Sequence, residues 1–119
     1  MKRSVLLGFL ALLMGESPAQ ADFADAVKAY DGGDYATAFA ESLEAAKQGD
    51  PDAQYMAGFL YLRGQGVRRD LMRAYQWLTL AARQGDDFAA DELEDITPLL
   101  NAAVISRAEE WLRNWTPAK

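Results

Sequence analysis

Neither cysteine nor histidine occurs among the 119 residues. Without cysteine the chain can form no disulfide, offers no thiol nucleophile and cannot take the bacterial lipoprotein route, which lipidates a cysteine. Without histidine, Ser-His-Asp triads and the usual zinc ligand sets are excluded too. No serine is followed three residues later by lysine, so the S-x-x-K nucleophile is also missing. Positive charge is scarce: 12 lysines and arginines stand against 18 acids, a formal net charge of −6. Such a surface repels phosphates and makes a poor nucleic-acid binder. No segment alternates polar and apolar residues with a convincing period of two, so no sheet is expected.

Long apolar runs are equally sparse. The one candidate is residues 5–14, "VLLGFLALLM", preceded by Lys2 and Arg3 and followed by "GESPAQA". The run is short of the roughly 20 residues that a membrane span needs. A basic start, an apolar core and small residues at Ala19 and Ala21 make up a secretory signal peptide, with cleavage expected before Asp22. The alternative is a retained membrane anchor. Cleavage leaves 119 − 21 = 98 residues, enough for one small domain with a thin core. Losing Lys2, Arg3 and Glu16 takes the net charge from −6 to −7.

What the chain does have is a repeat. Shifted by 36 positions, "AAKQGDPDA" (residues 45–53) lies over "AARQGDDFA" (residues 81–89), with Asp34 over Asp70, Ala38 over Ala74 and Phe39 over Tyr75. A period of this length marks a stacked helical array. Asp34 and Asp70 stand where N-caps belong, ahead of alanine-rich amphipathic runs. Gly49 and Gly85 suit the C′ position, Asp50 and Asp86 can cap the next helices, and Pro51 fits a first turn. Thr97-Pro98 repeats the cap-then-proline signal. The spacing predicts helices at 22–31, 34–48, 51–63, 70–84, 87–96 and 98–114.

The stretch "LRGQGVRRD" (residues 62–70) contains a G-x-G that invites a phosphate-loop reading. Such loops join a strand to a helix, whereas these glycines follow one helix and precede another. A tight turn is expected, with Gly64 and Gly66 bending the backbone, Val67 plugging the seam and Arg68 and Arg69 in solvent.

The run "AQYMAGFLYLRGQGVRRDLMRAYQWLTLAARQGD" resembles the Sel-one-like repeat, a relative of the tetratricopeptide repeat. The pattern falls on Ala53, Gly58, Tyr61, Gly64, Gly66, Val67, Asp70, Ala74, Trp77, Ala81, Ala82 and Gly85. "AYDGGDYATAFAESLEAAKQGD" looks like an earlier unit with a shortened turn, departing from the pattern at Val27 and Glu41. The resemblance implies an all-α fold: a short right-handed α-solenoid of helix-turn-helix units (about 22–49, 50–85 and 86–96) closed by a C-terminal capping helix at 98–114. It also implies a role in holding protein complexes together, without naming a partner.

In the helix at 51–63, Ala53, Ala57, Leu60 and Tyr61 form the expected core stripe, and Gly58 leaves room for a neighbouring helix. Tyr55, Phe59 and Leu62 lie on the opposite side. In solenoids the first helix of each pair lines the concave surface, so these three residues are candidates for partner binding. The equivalent positions in the flanking units are Ala24, Lys28 and Asp31 on one side and Asp91 and Asp95 on the other. Lys28, Asp91 and Asp95 would then be charged shoulders around an aromatic centre. A second reading is open: the closing helix, with Leu100, Val104, Ala108, Trp111 and Trp115, folds over this face and buries it. Trp77 and Trp111 are expected in the core rather than stacked on a ligand.

Asp87, Asp91 and Asp95 share a helix face and could hold a hard cation, but they lack a ligand loop, and a solvated face is expected. The main expectation is therefore a non-enzymatic adaptor in the periplasm or secreted beyond it, without cofactor or metal, monomeric, binding a protein or peptide. Its rivals are a cell-wall glycan module using Tyr55 and Phe59 as stacking platforms and a hydrolase using Asp91 and Asp95.

Overall fold

The computed structural model describes residues 23–119, and the expected signal peptide lies outside them. The described residues are helical, with no strand among them. The helices are α1 (Phe23–Asp31), α2 (Tyr35–Lys47), α3 (Pro51–Arg63), α4 (Leu71–Arg83), α5 (Asp87–Ile96) and α6 (Ala102–Asn114), with a 3-10 turn at Thr97–Leu99 between the last two. Each of the first four packs on the next, and α6 returns to pack on α4.

The caps explain the boundaries. Asp34 accepts from the Thr37 N–H, Asp70 from that of Arg73, Asp50 from those of Asp52 and Ala53, and Asp86 from that of Ala89. Each carboxylate satisfies first-turn donors that would otherwise lack partners. The α2 and α4 ends repeat one another bond for bond. Asp50 N–H donates to the Ala45 carbonyl and Gly49 N–H to Ala46; Asp86 N–H donates to Ala81 and Gly85 N–H to Ala82. This crossed pair is the Schellman closure, which the shared Gln-Gly-Asp triplet encodes.

The last helix differs from expectation. Thr97 does not cap it; the Thr97 hydroxyl donates to the Leu93 carbonyl at 2.6 Å and closes α5 instead. Pro98 sits in the 3-10 turn, and α6 starts four residues later than expected, at Ala102, where Asn101 accepts from the Val104 N–H. Thr97-Pro98 resembles Asp50-Pro51 in sequence, but the threonine hydroxyl found an acceptor one turn back.

The core is thin and alanine-rich. Ala53, Ala57, Leu60 and Tyr61 are all buried, as is the α4 row of Ala74, Trp77, Leu78 and Ala81. Small residues bring the helices close. A Cβ on Gly58 would lie 2.7 Å from Leu78 Cγ, so α3 and α4 can cross this tightly only over a glycine. The loop after α3 joins two helices, as expected of a turn. Gly66 takes a φ of 73° and packs against the Tyr35 carbonyl at the start of α2. Any side chain there would meet that backbone. Val67 packs on the core. Arg69 is not simply solvated: its Nε donates to the Leu62 carbonyl at 3.0 Å, tying the loop to α3.

A polar ladder crosses the interface between successive units. Gln84, after α4, donates to Gln54 Oε1 (2.7 Å) and to the Gly49 carbonyl (3.1 Å). Fully buried Gln54 in turn donates to the Ala46 carbonyl at 3.3 Å. The amide chain gives the Ala46 carbonyl, which already closes the end of α2, a second donor and satisfies the buried Gln54 amide.

Candidate functional site

The closing helix leaves the Tyr55 and Phe59 side of α3 clear and packs on α4. Trp111 and Trp115 contact the buried Trp77 edge-on, with ring centroids at 5.4 and 6.5 Å. Ala108 and Leu112 are its buried positions; Leu112 was absent from the stripe read in the sequence. Glu109 accepts from the Tyr75 hydroxyl at 2.7 Å and lies 3.6 Å from Arg83, which fixes the helix on α4. The tail continues to the end of α2, where the Ala118 N–H donates to the Lys47 carbonyl and Pro117 lies against Gly49. The reading in which this helix folds over Tyr55 and Phe59 is thereby replaced: its tryptophans have Trp77 as their partner.

On the other side, a half-open pocket of about 230 Å³ is lined by Tyr30, Tyr55, Met56 and Phe59. Tyr55 and Phe59 sit one turn apart on α3, with ring centroids 5.9 Å apart. Tyr30 enters from the last turn of α1 and is backed by Tyr35 at 5.3 Å. From α5, Phe88 reaches within 6.1 Å of Tyr55 while 71% exposed. The aromatic surface thus runs across the first helix of each pair, α1, α3 and α5.

Its two ends differ in charge. The Arg63 guanidinium lies over the Phe59 ring, 5.0 Å from the centroid, a cation–π contact that closes one end. Toward α5, burial raises the Tyr55 phenol above its ordinary pKa, negative charge on Glu92 and Asp86 raises it further, and Arg63 lowers it. Helix α5 carries Asp87, Asp91, Glu92, Glu94 and Asp95 and no basic residue.

Of the residues singled out in the sequence, Tyr55 and Phe59 come together in the pocket lining. Leu62 is half-buried and packs on the core; Lys28, Asp91 and Asp95 are exposed and outside the lining. Asp87, Asp91 and Asp95 form no metal-ligating cluster, and none of three or more acids exists among the described residues. Tyr30, Met56 and Phe88 escaped sequence reasoning. In the repeat register Tyr30 falls on the core position of Tyr61, yet it lines the pocket. Met56 was hidden by its plain apolar character. Phe88, an isolated phenylalanine in an acidic helix, was the available signal.

Stacked helical pairs with an apolar patch on one face define a helical-repeat protein. Residues 51–86, covering α3, the double-glycine loop, α4 and the turn after it, match the family model of the Sel1 repeat. That segment is a Sel1 repeat, as the resemblance implied. The alginate biosynthesis protein AlgK of Azotobacter vinelandii is similar, 37% identical over 70 residues. The match covers 59% of this chain and 15% of that relative's length. No helix among the described residues is long and apolar enough to cross a membrane.

Proposed function

We propose that the protein is an exported, non-enzymatic adaptor that holds a protein or peptide segment against the face of α1, α3 and α5. The observation that carries this reading is the open aromatic pocket of Tyr30, Tyr55, Met56 and Phe59 on a Sel1 repeat, a module whose general role is protein–protein contact. Half-exposed aromatic side chains held on a rigid helix are what interfaces use to concentrate binding energy. Leu62, Lys28, Asp91 and Asp95 flank the pocket as secondary contacts in this proposal. The leader with cleavage before Asp22 supports a periplasmic location. AlgK is named for alginate biosynthesis; this chain shares a 70-residue stretch with it, so what carries over is the repeat's capacity to hold a partner. A glycan site fits less well, because the pocket walls are almost wholly apolar and sugar hydroxyls would go unmet.

The test is crosslinking in the native envelope, comparing the natural chain with Phe59→Asp. Loss of a specific crosslinked product in the variant, with a single cooperative melt lowered by only a few degrees, is the expected result. A product that persists undiminished in the variant rules out this face as the contact.

A further inference from the structure

We infer that the segment held in this pocket is cationic: an apolar side chain fills the space between Tyr30, Tyr55 and Phe59 while lysine or arginine neighbours lie toward α5. This rests on the adaptor reading and specifies the partner's chemistry. The argument is charge complementarity. The pocket supplies mainly apolar contact, and its volume of about 230 Å³ accommodates one or two apolar side chains. Charge at its edges therefore decides which apolar segment is chosen.

The edges are unequal. Of the two cations at the edges, Arg63 is committed to the Phe59 ring, and Lys28 stands on α1, two residues before Tyr30, not on α5. On the α5 side, the Phe88 ring lies 6.1 Å from that of Tyr55, which sets beside the pocket a helix with acids and no compensating base; Glu92 and Asp86 raise the Tyr55 phenol, and Arg63 lowers it. Among the described residues no salt bridge ties up a carboxylate of α5. An acidic segment placed in the pocket would set its charge beside these carboxylates, and a second copy of this chain, at a formal −6, would meet the same repulsion. A basic segment gains at both stages, being drawn in by the net field and held beside α5.

The experiment is selection of a random displayed peptide library on the purified protein, with Phe59→Asp as counter-selection. Peptides that depend on Phe59 are expected to carry an apolar anchor with lysine or arginine beside it. An enriched peptide, titrated against Asp86→Asn with Glu92→Gln, should bind about tenfold more weakly than to the natural chain and lose most of that difference at high salt. Asparagine keeps the cap acceptor at position 86, so α5 stays formed. Phe59-dependent peptides that are neutral or acidic, or whose affinity the double variant leaves unchanged, overturn the inference while leaving the adaptor reading in place. Absence of any Phe59-dependent peptide overturns both.

Discussion

The Tyr75 hydroxyl donates to Glu109 Oε1 across 2.7 Å, joining α4 to α6 over 34 positions of sequence. The opposite carboxylate oxygen lies 3.6 Å from Arg83. Burial, then the hydrogen bond and charge of Glu109, push the phenol pKa up from 10.0 to about 12. In the unfolded chain the phenol ionises near its ordinary value. Below pH 10 both states are protonated and the contribution is complete; as pH rises from 10.0 toward 12 the unfolded chain loses its proton first and stability falls. Melting temperature followed across that window should drop, and Tyr75→Phe should flatten part of the drop. At neutral pH Tyr75→Phe is expected to cost about 1–2 kcal/mol, at the lower end for a bond to a charged acceptor because the site is partly solvated.

Gly58 is the second test. Alanine there gains about 1 kcal/mol of helix propensity. Against this stand contacts of 2.7 Å to Leu78 Cγ and 3.1 Å to the Leu78 backbone nitrogen. The side chain could rotate away, but the backbone cannot, so overpacking of about 1–3 kcal/mol wins. Urea denaturation of Gly58→Ala should show a lower midpoint. A variant more stable than the natural chain would mean that α3 and α4 cross less tightly than described.

The glutamine ladder predicts coupling between units. Gln84→Ala leaves Gln54 Oε1 buried without its donor, at a cost of about 1–3 kcal/mol. Gln54→Leu removes that acceptor but also the donor to the Ala46 carbonyl. The two losses share a bond, so the double variant should be less destabilised than their sum. Denaturation midpoints of the four proteins complete the cycle; strict additivity would show that the Gln54–Gln84 bond contributes nothing.

Much of this architecture was legible in the sequence, and the reason is local. Aspartate caps, Gln-Gly-Asp closures and a 36-residue period act within one or two turns of helix, so Asp34, Asp50, Asp70 and Asp86 could be assigned their roles without tertiary information. The double-glycine loop was readable for the same reason. What could not be read depends on contacts far apart in the chain. Whether Trp111 meets Trp77 or Phe59 follows from the path of residues 97–101, where a hydroxyl chose Leu93 over a new helix start. Tyr30 joins the pocket although its register matches that of buried Tyr61, a difference set by contacts with α3 rather than by its own sequence neighbours. Nothing in the sequence marks Gln54 as buried; its partner Gln84 comes to it from 30 residues away.

The two faces of the repeat should respond oppositely to substitution. Trp77 is 5% exposed and forms the seat for both tryptophans of the closing segment, so Trp77→Ala is expected to cost about 3–5 kcal/mol, a large share of a small domain's stability. Phe59 is half-buried and its ring faces the pocket and Arg63 rather than the buried cluster. Phe59→Asp should therefore lose only the ring's partial burial and the cation–π contact, about 1 kcal/mol, and the new carboxylate can pair with the Arg63 that it exposes. Thermal melts followed by far-ultraviolet circular dichroism compare the two directly. A Phe59→Asp protein that melts as early as Trp77→Ala would show that the aromatic face supports the fold, and the pocket would then be a packing defect rather than a surface held open for a partner.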